Sequence, residues 1–283
     1  MSEKGNSVRR LVIDEVGYWS EIKLDIIKEY ARAYSIILSK QPFLKHVYID
    51  AFAGAGVHVS RGSRELIPGS PLNALRVDPP FWEYHFIDIQ AAKVQALYEL
   101  ARERPQHVFV YEGDCNEILL SDVFPRVKRE DYRRGLCLLD PYGLDLDWKV
   151  FERAGEMGTI DIILNFPIMD MNRNVFLRNP ERVLRHNLER MNRFYGGEDW
   201  RDVVYDRTRD LFGHPEKTDI QFIVDAFRDR LRDKAGFEYV PSPIPLRNSV
   251  GAIVYYLFFA SQKSVAAEIA TYIFNKYRTR KRG

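Results

Sequence analysis

The stretch His46-Val-Tyr-Ile-Asp-Ala-Phe-Ala-Gly-Ala-Gly56 decides how the chain is read. Val47 to Ile49 are apolar and β-favouring, which predicts a short buried strand. Asp50 stands where that strand runs out, and Phe52-Ala53-Gly54-Ala55-Gly56 then turns without bulk. Gly54 and Gly56 can take positive φ and let a ligand approach the backbone, which a Cβ would obstruct. A carboxylate beside such a turn, at the carboxyl end of a strand, suits a ligand with hydroxyl, amino or cationic groups. A glycine pair also serves as a plain structural turn, so its meaning depends on the order of the strands and helices after Gly56.

Four more strands succeed it: Glu83 to Asp88, Val108 to Asp114, Gly135 to Asp140, and Ile160 to Asn165. Helical patterns separate them, one from Ala91 to Glu103 with Val94, Leu97, Tyr98 and Ala101 inward, another starting at Cys115. Near-continuous apolar strands alternating with helices predict a parallel sheet covered on both faces. Phe237 to Val240 and Ala252 to Ala260 predict two further strands, an antiparallel pair at one sheet edge, before a closing helix from Ser264 to Tyr277. The fold class expected is α/β: a Rossmann-like, seven-stranded, mostly parallel sheet with helices on both faces. It carries an antiparallel strand near the C-terminus and a helical insertion after strand five. The five parallel strands each end in a polar residue: Asp50, Asp88, Asp114, Asp140 and Asn165. Ligands of open α/β sheets bind outside those ends.

The remaining segments decorate this frame as a single domain over 1–283. Residues 1–15 are expected to be loosely held. An N-terminal helix within 16–41 starts at a Ser20 cap, carries an apolar stripe through Leu24, Ile27, Tyr30 and Tyr34, and stops before Pro42. Residues 168–217 form the insertion, with a charged helical stretch from Pro180 to Phe194 and a short helix around Trp200. Long insertions at a ligand edge are usually lids or substrate-binding elements. Thr218 to Lys234 returns to an amphipathic helix through Phe222, Ile223, Ala226, Phe227 and Leu231.

Composition excludes several classes. The 283 residues carry a formal charge of +2, which by itself argues for no polyanionic partner. Cys115 and Cys137 are the only cysteines, so neither a disulfide framework nor a four-cysteine zinc site is available. The six histidines are scattered without metal-ligand spacing, and no metal is expected. No apolar run approaches the roughly 20 residues of a membrane span, and Met1 to Arg10 lacks a signal-peptide core. The expectation is a soluble, cytoplasmic protein without membrane contact.

Seven strands with a terminal hairpin and a glycine turn after strand one resemble the class I S-adenosylmethionine-dependent methyltransferases. On that resemblance Asp88, followed by Ile89, would accept from ribose hydroxyls. The turn Phe52, Ala53, Gly54 and Gly56 would lie beneath the methionine portion, with Asp50 near its amino group. Gly113 and Asp114 would face the adenine, and Ser70 of Gly69-Ser70-Pro71 would offer a hydroxyl and helix-start amides to a polar ligand. Each acid has an ordinary role too, as the cap of the helix after its strand. A nicotinamide cofactor fits less well: the glycine turn lies more than about 20 residues from Asp88, and no third glycine follows Gly56.

Asp140-Pro-Tyr-Gly143 resembles the acid/asparagine-Pro-Pro-aromatic motif of methyltransferases acting on nucleobase amines. In that motif the polar side chain and a proline carbonyl accept from the amine, and the ring stacks on the base. The chain departs from it, because Tyr142 directly follows Pro141 and Gly143 follows the tyrosine. Asp140 and Tyr142 remain pocket candidates. Asn165-Phe-Pro either orients a substrate or closes a strand. A narrower resemblance, to the three-Cys-motif partner proteins of bacteria, rests on Trp19-Ser-Glu-Ile-Lys23-Leu24, Tyr48 to Gly56, Gly69-Ser-Pro-Leu72, Leu139-Asp-Pro-Tyr-Gly143 and Asn165-Phe-Pro-Ile-Met-Asp-Met-Asn172. It implies a methyltransferase-like domain, often encoded beside a radical-S-adenosylmethionine-like protein with a three-cysteine motif. It names no substrate.

Nucleic acid is the attractive substrate class. The basic tail 276–283 and Arg173, Arg178, Arg182, Arg185, Arg190 and Arg193 of the insertion would attract phosphates, although Glu181 and Glu189 offset them and a solvated helix face has the same composition. Two functions are compatible with these residues. The first is methyl transfer from S-adenosylmethionine, leaving S-adenosylhomocysteine, to a nucleobase in nucleic acid or a nucleotide-like acceptor. The second is a non-catalytic methyltransferase-fold partner of a three-Cys-motif protein or of nucleic acid.

Overall fold

A computed structural model of the chain describes residues 14–62, 64–102, 106–209 and 215–278. Its main sheet has seven strands: β1 (Lys45–Asp50), β2 (Glu83–Asp88), β3 (Val108–Glu112), β4 (Arg133–Leu139), β5 (Ile160–Phe166), β6 (Ile244–Arg247) and β7 (Ile253–Ala260). They lie in the order β6-β7-β5-β4-β1-β2-β3. β1 to β5 run parallel, whereas β7 is antiparallel to both β5 and β6.

The helices are α1 (Tyr18–Ser39), α2 (Ser70–Leu75), α3 (Ala91–Ala101), α4 (Cys115–Ile118), α5 (Trp148–Met157), α6 (Ile168–Asn174), α7 (Arg185–Tyr195), α8 (Trp200–Val204), α9 (Ile220–Asp233) and α10 (Ser264–Arg278). The period-2 alternation of the strands divides them between two cores. Val47 and Ile49 of β1, Cys137 and Leu139 of β4, and Phe258 of β7 join α5, α9 and the insertion. Tyr48, Leu136, Leu138 and Phe259 face α1, α3 and α10 on the other side. The insertion supplies Met171, Met191, Phe194 and Trp200 to the first core, so much of it is packed against the sheet.

Several expectations are corrected. α1 begins two residues early with Gly17 as its cap, and Ser20 is buried inside its first turn. Tyr98 and Phe222 are exposed; Val224 takes the buried place on α9. The sixth strand lies within the proline-rich segment that reads as a connection. Tyr239 makes only an isolated bridge to Ser261, and Ile244–Arg247 pairs with β7. Pro245 is tolerated there because β6 is the edge strand. Two smaller sheets were not anticipated. Asp14–Val16 runs parallel to Val57–Ser60, which pairs with Leu66–Pro68, and Tyr205–Arg209 pairs with Pro215–Lys217.

The start of the basic tail is occupied. Lys276 bonds Glu29 at 2.8 Å, and Arg278 donates to the carbonyls of Ser242 and Pro243. Residues 279–283 lie outside the described ones. Among the described residues no helix is long and apolar enough to cross a membrane.

Candidate functional site

A cavity of about 690 Å³ opens at the carboxyl ends of the parallel strands. It has two halves of different construction.

The first half is built on backbone. Gly54, at φ +64°, donates its N–H to Asp88 Oδ2 at 2.9 Å, and the Gln90 N–H donates to Oδ1 at 2.8 Å. Two amides thus fix the carboxylate at the cavity wall, while Ile89 beside it presents an apolar side chain 70% exposed. Asp114 caps α4: its Oδ1 accepts from the Asn116 N–H at 2.7 Å and the Glu117 N–H at 3.4 Å. The capping role and a place on the wall therefore coexist at Asp114. Asn116 ties this helix start to the loop after β4 through the Asp145 carbonyl and the Asp147 N–H. Phe52, Ala53, Gly113 and Ser70 also line this cavity.

Asp50 and Gly56 stand elsewhere. Asp50 is fully buried behind the turn, and its Oδ2 has no hydrogen-bond partner among the described residues. Burial pushes its carboxyl up to about 7; the Ser70 hydroxyl opposes this and the Asp140 charge adds to it. Gly56 is a packing position: at φ +78°, a Cβ there would come within 2.3 Å of Leu100.

The second half is built from side chains. Lys23 of α1, buried at 7% exposure, reaches Asp140 Oδ2 at 2.5 Å. Asn165 donates Nδ2–H to Asp140 Oδ1 at 2.8 Å, so both carboxylate oxygens have partners. The Lys23 ammonium also lies 5.2 Å from the Trp19 ring centroid, and Trp19 packs against Tyr255 at 4.8 Å. Tyr255 donates its hydroxyl to the Tyr142 carbonyl at 3.3 Å. Tyr142 projects its ring, 68% exposed, and donates its hydroxyl to Asp14 at 3.0 Å. Lys93 bonds the same Asp14 oxygen at 2.7 Å. Burial pushes the Asp14 carboxyl up, but Lys93 and Tyr142 outweigh it and hold it below its usual range. On the same wall His58 is pushed down by burial and by Lys23, against the pull of Asp14 and Asp140.

Crowding at Gly143 explains why the motif's aromatic position carries no side chain here. A Cβ there would sit 2.7 Å from Asp170 Oδ2 and 2.8 Å from Arg190 Nη2. Arg190 also bonds Asp145 at 3.0 Å, so the insertion docks directly on the loop after β4. The second half thus gathers Trp19, whose aromatic ring reads from the sequence either as a ligand-mouth residue or as core, with residues that the sequence did not single out as site residues: Asp14, Lys23, His58, Lys93 and Tyr255. One signal was present. Lys23 shares the 23, 27, 30, 34 stripe of α1 with Ile27, Tyr30 and Tyr34, and a lysine on an apolar stripe needs a buried partner.

The strand order 3-2-1-4-5-7-6, with strand seven antiparallel, is decisive. This is the class I methyltransferase fold. Among solved structures the chain is similar to protein LPL1258 from Legionella pneumophila, described with family-model DUF519, at 10% identity and TM-score 0.52, over 90% of this chain and 91% of that one. Fainter likenesses run to Trm5b from Pyrococcus abyssi (18% identity, TM-score 0.34, 81% and 47% covered) and to the putative methyltransferase yhhF from Escherichia coli (14%, 0.31, 50% and 70%). No family model and no curated protein matches the sequence. At 10% identity the likeness to LPL1258 speaks for the fold alone.

Proposed function

We propose that the protein is a methyltransferase that uses S-adenosylmethionine to methylate the amino group of a nucleobase or nucleotide-like acceptor. The observation that carries this reading is Asp88, held by the Gly54 and Gln90 amides beside the crevice where the strand order reverses. Its fixed oxygens suit two adjacent ribose hydroxyls. Charge supports the same ligand. Carboxylates outnumber lysines and arginines on the cavity wall by seven to four, which favours a ligand with a sulfonium and an ammonium over the pyrophosphate of a dinucleotide. When bound, S-adenosylmethionine supplies a methyl carbon made electrophilic by its sulfonium.

The rest of the chemistry belongs to the chain. Asp140 accepts from the acceptor N–H and takes up its proton. Lys23 and Asn165 hold that carboxylate in one orientation. The exposed ring of Tyr142 stacks on a planar acceptor. Alignment of this kind supplies much of the acceleration in a transfer between two bound partners. Calorimetric titration with S-adenosylmethionine and S-adenosylhomocysteine, with NAD as control, tests the reading. Micromolar binding of either sulfur ligand supports it, and silence from both in a folded sample sinks it.

A second reading is favoured by the ion pair of Asp140 with Lys23, which neutralises its charge within the protein, beside the bond from Asn165. A carboxylate paired in this way fits a fold retained for binding, with a three-Cys-motif, radical-S-adenosylmethionine-like protein as partner. Methyl transfer abolished by Asp140→Ala, with cofactor affinity intact, rules this out.

A further inference from the structure

Two stretches of the chain are strongly basic, the tail from Lys276 and one that adjoins the cavity. Between Arg173 and Arg193 the chain carries six arginines against two glutamates, a surplus of four where the whole protein is only +2. α7 buries Asn187, Met191, Phe194 and Tyr195, which turns Arg185, Glu189 and Arg193 outward one turn apart. Arg173, on α6, and Arg182, three residues before Arg185, are exposed as well. The pair Arg185–Glu189 is solvent-exposed, at 2.9 Å, and such pairs hold little energy against a competing phosphate. The face is continuous with the cavity: Arg193 is on its wall, and Arg190 clamps α7 to Asp145, which is on the wall too.

We infer that this face binds the phosphodiester backbone of an unpaired stretch of nucleic acid whose target base enters the cavity. The inference rests on the methyltransferase reading and narrows its substrate from nucleotide-like molecules to a polymer. The reason is reach. α7 alone extends about 16 Å at 1.5 Å per residue, beyond what one nucleotide seated in the cavity spans. Arginine forks match phosphate geometry better than lysine does, and the segment contains no lysine. Asp140 shares the cavity wall with Tyr142, Trp19 and Tyr255, and a base reaches such a wall only by leaving its stack.

The test uses the full chain and fluorescein-labelled 20-nucleotide single strands of mixed sequence, RNA and DNA, read by anisotropy. With about three phosphates neutralised on a single strand, affinity falls roughly twentyfold between 50 and 200 mM salt. The triple variant Arg173→Gln, Arg182→Gln, Arg185→Gln binds at least tenfold more weakly at 50 mM salt and has a flatter salt slope. Its melting temperature and S-adenosylmethionine affinity match the wild type. Equal affinity and slope in the variant, no binding of either strand by the wild type, or displacement by poly-glutamate at equal charge overturns the proposal. Tighter binding of the matching duplex overturns the unpaired part. Cofactor titration on the same samples reports separately, so loss of oligonucleotide binding with intact cofactor binding counts against this inference alone.

Discussion

The two halves of the cavity are made in different ways. The half around Asp88 and Asp114 is assembled from residues at a strand end or up to four positions beyond one, and its carboxylates are oriented by backbone N–H groups of the same or the neighbouring turn. The half around Asp140 draws on a helix 117 residues earlier, a strand after the insertion and a short strand near the N-terminus, and side chains make its contacts, to other side chains and to the Tyr142 carbonyl. Backbone-built sites are local and survive changes in surrounding side chains. Side-chain-built sites depend on how distant elements pack. One half is therefore a property of the fold, and the other of this particular chain.

The largest expected effect separates the halves by activity. Asp140→Ala lowers methyl transfer about a hundredfold to a thousandfold, the scale for losing one group placed at the reacting atoms, while cofactor affinity stays within twofold. A radiolabelled transfer assay beside calorimetry reads both, and a parallel fall in affinity would merge the halves.

A pH dependence comes next. Asp50 carries a folded value of about 7 against an ordinary 3.8. Its stability contribution is full below pH ~4 and is lost as pH rises through about 7, because the folded state favours the protonated form. Asp50→Asn flattens that loss. Denaturant unfolding at pH 5 and pH 8 measures it, and an unchanged difference between the two would show that Asp50 ionises freely behind the turn. Asp161, half-buried at the opposite end of the sheet against Ser261, is also pushed up to about 7 and contributes a slope of the same sign that this variant leaves in place.

Asp88→Ala weakens S-adenosylmethionine by about 1.5–3 kcal/mol, the worth of hydrogen bonds to a charged group. Calorimetry decides it, and equal affinity would remove Asp88 from the ligand. Lys23→Met costs about 2 kcal/mol in unfolding free energy by leaving the Asp140 carboxylate without its cation, and adding Asp140→Asn recovers part of the loss. If the double variant is no more stable than the single, the pair is not a coupled unit. Gly143→Ala is the mildest, at about 1 kcal/mol, because the atoms it meets are the mobile ends of Asp170 and Arg190. Its signature is slower transfer with unaltered cofactor affinity.

The half around Asp88 and Asp114 was legible because its signals are short-range. An apolar run, an acid and two glycines specify a strand, its end and a turn, and Asp88 on the next strand lies at a matching level because parallel strands pair in register. Asp50 shows the limit. It occupies the expected end of β1, yet its side chain turns behind the wall, since alternation along a strand decides which face an end residue meets. The edge strand was misplaced for a related reason. Phe237 to Val240 is apolar because Phe237 and Val240 are buried in the first core, and Ile244–Arg247 looks like a linker because proline is accepted only at an edge.

The half around Asp140 was legible only in part. Asp140, Tyr142 and Asn165 stand at or just beyond strand ends and were found, whereas Trp19, Lys23 and Tyr255 become neighbours only when α1 and β7 pack beside β4 and β5. By itself the amino-acid order determined the alternation of elements, the parallel sheet, and the polar residues at its carboxyl ends, because these arise from periodicity and turn chemistry within a few residues. Only the tertiary structure decided which side chains close the cavity, that Lys23 pairs with Asp140, and that the arginine face of α7 adjoins the cavity mouth. Those contacts join segments far apart in the chain, and their energy depends on burial and distance, which no local pattern encodes.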